Sequence, residues 1–186
     1  FSLCKSQWEF VPQWFNGFAF GEGVGESTIY RLASMTKPIT GVAVMRLVEE
    51  GKLRLEDDVE QYLPEYANMR VAVLNDQEQI IGSVPAQNKI KILHLLTHSS
   101  GLGSGACALH YLPLMTEEDK KTLQASVNYY AGTALLFDPF TQVKYSGVMG
   151  FDVLAAIVEK VTGEDYLTYL RRTVLDPCGM KETTFS

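Results

Sequence analysis

Hydrophobic positions along this chain change their period early and, apart from one later hairpin, keep the new one. Segments such as Trp8-Glu9-Phe10-Val11 and Trp14-Phe15-Asn16-Gly17-Phe18-Ala19-Phe20-Gly21 are aromatic and punctuated by glycine, which predicts short strands joined by turns. From residue 34 the spacing lengthens. Ile39, Val42, Met45 and Val48 step by three through 34–50, predicting a mostly buried helix that Gly51 stops. Pro38 falls near its first turn, where a missing N–H costs least. The run Leu53-Arg54-Leu55-Glu56-Asp57-Asp58-Val59, followed by Tyr62-Leu63-Pro64-Glu65, predicts a short capped helix ended by Pro64. Residues 69–74 and 79–82 flank Asn75-Asp76 as the arms of a small hairpin.

Further helices are predicted over 92–97, 117–131, 148–161 and 166–174. The third carries Phe151, Leu154, Ala155 and Val158 on one face and ends at Gly163. Ser99-Ser100-Gly101-Leu102-Gly103-Ser104-Gly105 reads as a loop, with Gly101 and Gly103 supplying turn geometry. Strands are few and early, helices many and late. The expectation is a mixed α/β (α+β) protein: residues 1–33 give strands of the α/β part, and 34–186 give the nucleophile helix and a complete helical domain, while the antiparallel sheet is incomplete.

Composition narrows the partners. A chain of 186 residues with 46% hydrophobic and 20% charged residues buries one sizeable core. A formal net charge of −6 argues against nucleic acid, which needs clustered Lys and Arg. No apolar run approaches the roughly 18 residues that span a bilayer, so no transmembrane segment is expected. The start, Phe1-Ser2-Leu3-Cys4-Lys5, lacks both an initiator Met and the layout of a secretion signal, which leaves the compartment open. Cys4, Cys107 and Cys178 have no metal-ligand spacing, and His94, His98 and His110 form no ligand cluster. No metal and no cofactor are expected.

One short motif carries chemistry. In Ser34-Met35-Thr36-Lys37, helical spacing puts the Lys37 amine within reach of the Ser34 hydroxyl. Serine is a weak nucleophile and needs an adjacent base, and a helix N-terminus can offer N–H groups to an oxyanion. The motif alone is weak: Ser2-Leu3-Cys4-Lys5 also matches it, and an N-cap serine beside a solvated lysine explains Ser34 as well.

Three further segments strengthen it. Arg31-Leu32-Ala33-Ser34-Met35-Thr36-Lys37-Pro38-Ile39-Thr40 resembles the nucleophile segment of the serine β-lactamase and penicillin-binding protein superfamily. Leu95-Leu96-Thr97-His98-Ser99-Ser100-Gly101-Leu102, Tyr145-Ser146-Gly147 ahead of a helix, and Pro177-Cys178-Gly179-Met180 resemble later landmarks of that superfamily, in the same order. The resemblance covers nearly the whole chain and lies nearest the class C β-lactamases, D,D-peptidases and β-lactamase-like carboxylesterases. It implies a β-lactamase/transpeptidase-like fold in which Ser34 forms an acyl-enzyme, Lys37 takes its proton, and Tyr145 shuttles protons. The Ser34 backbone N–H would form half of the oxyanion hole, and Gly147 would border the substrate. His98 is expected to be structural.

Two departures qualify that picture. Gly147 stands where lactamases and peptidases of the superfamily commonly carry Asn, and the hairpin-like segment 69–91 looks more like the esterase branch. Both cues favour an ester over a β-lactam or peptidyl substrate. The superfamily's third motif, Lys-Thr-Gly or His-x-Gly on a strand, does not occur, and neither do the strands that follow it. The expectations are therefore a C-terminally truncated chain, weak turnover, and self-association through an uncovered sheet edge. A catalytically degenerate binding or sensor module is the reading of another class.

Overall fold

The helix expected from residue 34 onward forms where the sequence places it, but it turns a different face inward. In the computed structural model, which describes residues 18–19, 22–23 and 31–184, helix α1 (Thr36–Glu49) follows a single 3-10 turn at Ala33–Met35. Its buried side chains are Thr40, Ala43, Val44 and Leu47. Val42 and Met45, expected inside, are 50% and 41% exposed. A strict three-residue step drifts around a helix of 3.6 residues per turn, whereas 40, 43, 44 and 47 stay on one side. Gly51 ends the helix as expected. With φ +68°, it lets its own N–H reach the Val48 carbonyl and the Lys52 N–H reach that of Leu47, at 3.0 and 2.9 Å, satisfying carbonyls the helix leaves open.

Sequence order then gives β1 (Phe18–Ala19) and β2 (Glu22–Gly23), an antiparallel pair ahead of α1; the strand expected around Trp8 lies outside the described residues. β3 (Arg70–Leu74) and β4 (Ile80–Pro85) form the hairpin, with Val71 opposite Val84 and an irregularity between Val73 and Leu74. Its turn is held by Asn75, whose Oδ1 accepts the N–H groups of Gln77 and Gln79 at 3.0 and 2.9 Å. A two-residue strand not anticipated from sequence, β5 (Ala134–Leu135), joins β3 in parallel. The sheet is thus mixed, in the order β4-β3-β5.

Among the described residues, the further α-helices are α2 (Ile92–Leu96), α3 (Gly105–Tyr111), α4 (Leu123–Ala131), α5 (Met149–Thr162) and α6 (Tyr166–Leu170), the last continuing as a π-helical turn at Arg171–Leu175. Three differ from expectation. The stretch before the hairpin is two 3-10 turns, Val59–Gln61 and Pro64–Tyr66, so Pro64 opens a turn instead of ending one, as suits a residue with fixed φ and no N–H. Helix α4 starts only at Leu123, where Thr122 Oγ1 caps it by accepting the Ala125 N–H at 3.1 Å. The acidic and basic residues before it have no apolar stripe to bury, and Asp119 instead folds back on Thr116. Helix α3 begins within the stretch read as loop.

The core is organised by α5. Every residue from Val153 to Val158 is buried, and the helix packs against α1, α2, α4 and α6. A helix apolar on all sides belongs in the middle of its neighbours. Gly163 ends it in the left-handed region at φ +70°. Between α1 and α6, the buried Tyr166 hydroxyl donates to Thr40 Oγ1 at 2.7 Å, so the polar atom on the inner face of α1 is satisfied.

Leu154→Ala is expected to lower stability by about 2–5 kcal/mol, and Val42→Ala by no more than about 0.5 kcal/mol. Urea unfolding of both variants checks this assignment of faces; similar midpoints for the two would contradict it.

Candidate active site

Ser34 sits at the centre of the 3-10 turn ahead of α1, directly after a bend in the backbone. Ala33 adopts φ +45°, a region that costs a non-glycine residue about 1–3 kcal/mol and clusters at functional sites. The bend feeds the 3-10 turn, which leaves Ser34 exposed at the mouth of α1. Ser34 is not an N-cap: α1 has no side-chain cap, and the Ser34 hydroxyl is engaged elsewhere.

It meets Tyr145. The two hydroxyl oxygens, 111 residues apart in sequence, lie 2.5 Å from one another. Lys37, one turn into α1, points its Nζ at Ser34 Oγ from 3.5 Å and donates to the Gly147 carbonyl at 2.7 Å. The same Nζ lies 5.0 Å from the centre of the Tyr145 ring and 5.6 Å from that of Phe151, within cation–π range. Lys37 is therefore held on three sides. Gly147 enters through its backbone, and a Cβ built on it would meet open space.

The segment bearing Tyr145 is fixed by backbone contacts on either side of it. Lys144 N–H donates to the His98 carbonyl at 3.0 Å, and the buried Ser104 hydroxyl donates to the Lys144 carbonyl at 3.0 Å. Ser146 N–H donates to His98 Nδ1 at 3.2 Å, while Ser146 Oγ accepts the Gly150 N–H at 3.1 Å, tying the segment to the first turn of α5. The turn that carries Ser104 requires glycine at position 101. There φ is +75°, and a Cβ would collide with the Phe137 carbonyl. Tyr145 itself stays half exposed, at 52%.

Around these groups opens a cleft of about 390 Å³ lined by Ser34, Lys37, Gly41, Leu96, His98 and Phe151, among others, within the size range of small-molecule sites. The hydrogen bonds from Ser34 and Lys37, with the Lys37 charge, hold the Tyr145 phenol below its ordinary value near 10. His98 is pushed down, first by burial and then by the Lys37 charge. One turn into α5, burial pushes Asp152 up, against a hydrogen bond from Tyr130 Oη at 3.0 Å.

All four residues singled out from the sequence, Ser34, Lys37, Tyr145 and Gly147, converge here. Leu96 and Phe151, which give the cleft its apolar wall, were read from the sequence only as part of the resembling segment 95–102 and as one face of a helix. His98 was set aside as a turn residue. Its left-handed φ of +57° has no sequence signature, because histidine is not among the residues that announce such a turn as glycine does. Outside the cleft, His94 Nδ1 accepts the Lys91 N–H at 3.1 Å, and burial pushes the Cys107 thiol up to about 11, away from nucleophilic use. Among the described residues, no group of three or more His, Cys, Asp or Glu could hold a metal ion, and no helix is long and apolar enough to cross a membrane.

An exposed serine at the mouth of α1, a lysine one turn on and a tyrosine brought across from a distant loop are the kinds of side chain that nucleophilic catalysis by serine calls for. The chain belongs to the beta-lactamase family, whose description matches residues 11–186, with the β-lactamase/transpeptidase-like α/β fold expected of it. An uncharacterised protein of Mycobacterium tuberculosis (strain CDC 1551 / Oshkosh) is 36% identical over 171 residues, covering 89% of this chain and 41% of that protein. Esterase EstB of Burkholderia gladioli is 34% identical over 172 residues, 89% of this chain and 40% of the esterase. Among solved structures, EstCE1, described as a hydrolase with promiscuous acyltransferase activity, superposes with a TM-score of 0.67 at 30% identity over 86% of this chain and 40% of its own. The chain spans about two-fifths of the length of the curated relatives it matches.

Burial pushes Tyr66, Tyr129, Tyr130, Tyr166 and Tyr169 up, and Tyr62 to about 12. Tyr145 is then expected to give its phenolate ahead of these six in an alkaline ultraviolet titration. Tyr145→Phe should abolish that step and Ser34→Ala should move it up toward about 10. An early step that survives both changes would contradict the geometry.

Proposed function

We propose that this chain carries the nucleophile of a serine hydrolase that acts on carboxylic esters through an acyl-enzyme on Ser34. The observation that carries the reading is the 2.5 Å approach of Tyr145 Oη to Ser34 Oγ with Lys37 alongside. Ser34 Oγ attacks the ester carbonyl as its proton passes to Tyr145, and the C–O bond of the tetrahedral adduct breaks as the alcohol takes that proton back. Water then repeats the sequence in reverse order and frees the acid. The sequence alone gave the first proton to Lys37; the shorter contact favours Tyr145 as the direct acceptor, its phenol lowered first by the Ser34 hydrogen bond and then by the hydrogen bond and charge of Lys37, itself anchored on Gly147. The Ser34 N–H, in the first turn where helix donors lack intrahelical partners, supplies one oxyanion contact.

The choice of ester over β-lactam rests on two supports. Gly147 offers no side-chain amide to the cleft, and two of the matched relatives are an esterase and a hydrolase with acyltransferase activity. The walls from Leu96 and Phe151 suit an apolar acyl or alcohol group.

A fluorophosphonate probe tests the reading without requiring turnover. Intact mass should show one adduct on the protein and none on Ser34→Ala. Lys37→Met should slow labelling by about 100-fold or more, the scale of a lost acid–base partner. Absence of an adduct on the folded protein would overturn the hydrolase reading in favour of a binding module. Nitrocefin turnover above that of p-nitrophenyl esters would move the substrate to β-lactams.

A further inference from the structure

His98 makes more contacts with the Tyr145 segment than a turn residue needs. Its carbonyl accepts the Lys144 N–H at 3.0 Å and its Nδ1 accepts the Ser146 N–H at 3.2 Å, so one residue grips the peptide groups on both sides of Tyr145. Its ring lies 4.7 Å from the Tyr145 ring at 47°, and 5.5 Å from that of Phe151. The grip depends on an unusual backbone. His98 sits at φ +57°, a conformation uncommon for residues other than glycine, though histidine adopts it more readily than most, and it is from there that carbonyl and ring reach the same strand of chain.

We infer that His98 is a positioning residue for the proposed hydrolase site, which in its neutral form, with Nδ1 unprotonated, holds Tyr145 against Ser34 and on protonation lets it go. This rests on the acyl-enzyme reading above. Accepting the Ser146 N–H requires a lone pair on Nδ1, which fixes the proton of the neutral ring on Nε2. Imidazolium has no lone pair to give. Protonation at Nδ1 would set two donors face to face and would add a cation near Lys37. The groups that face the ring are Lys37 from α1, the Tyr145 phenol from the loop, and the uncharged Phe151 from α5. Burial and the Lys37 charge both hold His98 below its ordinary 6.5, so the neutral form prevails at neutral pH and the grip is lost only as pH falls through that lowered value.

Two substitutions separate positioning from simple packing. Asparagine tolerates the left-handed backbone and places an acceptor oxygen near the position of Nδ1 but cannot be protonated, whereas leucine keeps bulk and offers no acceptor. With fluorophosphonate labelling of Ser34 followed from pH 5 to 9, the protein should lose rate in a single step below about 6.5. His98→Asn should keep the rate at pH 8 within about three-fold and lack the acid step, and His98→Leu should fall about ten-fold or more at every pH. The early tyrosine ionisation provides a readout independent of labelling: it should stay in place in His98→Asn and move up in His98→Leu. A His98→Leu protein that labels and titrates like the parent, or an acid step unchanged in His98→Asn, overturns the inference. If the parent does not label at all, the hydrolase reading fails, and the tyrosine titration decides on its own whether His98 positions Tyr145.

Discussion

Ser34 and Tyr145 can meet only because α1 and α5 lie side by side in one core. The inner face of α1 is built from Thr40, Ala43, Val44 and Leu47, two of them small, and α5 answers with an unbroken buried run from Val153 to Val158. Close approach of the two helices brings their N-terminal ends to one place. One of those ends carries Ser34 and Lys37, and the other is preceded by Tyr145, Ser146 and Gly147. Burial of the apolar faces, at about 25 cal/mol per Å², is the force that assembles the cleft. The hydrogen bonds at the cleft then set angles and distances inside an arrangement already decided.

Precision is added by a second layer of contacts, nearly all to backbone. The Tyr145 segment is gripped by His98 and Ser104 on one side and by the start of α5 on the other. Lys37 is oriented by a carbonyl, that of Gly147. Groups held in this way need no reorganisation when charge develops, which is how preorganised sites lower barriers. It also makes the cleft non-local: no single segment of chain contains enough of it to form the contacts alone.

How much of this was legible in the sequence varied with the kind of signal. Helix α5, with its dense apolar run and terminal glycine, was readable almost to the residue. The hairpin was readable too, because Asn75 marks its turn, although β4 runs to Pro85, three residues past the expected arm. For α1 the existence and end were readable but the buried face was not. A three-residue count fits Ile39, Val42, Met45 and Val48, and only the true helical pitch selects the other set. The first half of 117–131 failed for a different reason, since charged residues spaced for helical pairing form a turn when no apolar face accompanies them. At the cleft, Ser34, Lys37, Tyr145 and Gly147 carried a recognisable order along the chain. His98 did not reveal its contacts, because they depend on a backbone angle and on two peptide N–H groups about fifty residues away.

Gly41 has a bearing on the history of such a site. It lies inside α1, on the floor of the cleft, and a Cβ placed there would touch nothing. Glycine in a helix interior forfeits roughly 1 kcal/mol relative to alanine, so the helix that follows Ser34 is weaker than it could be at a position where no packing demands it. The vacancy, together with the open space beside Gly147, is volume that can be filled one methyl group at a time without disturbing the core. Cleft volume and helix stability are thereby set against each other at a single position, where a change that strengthens the scaffold also narrows the space the cleft offers.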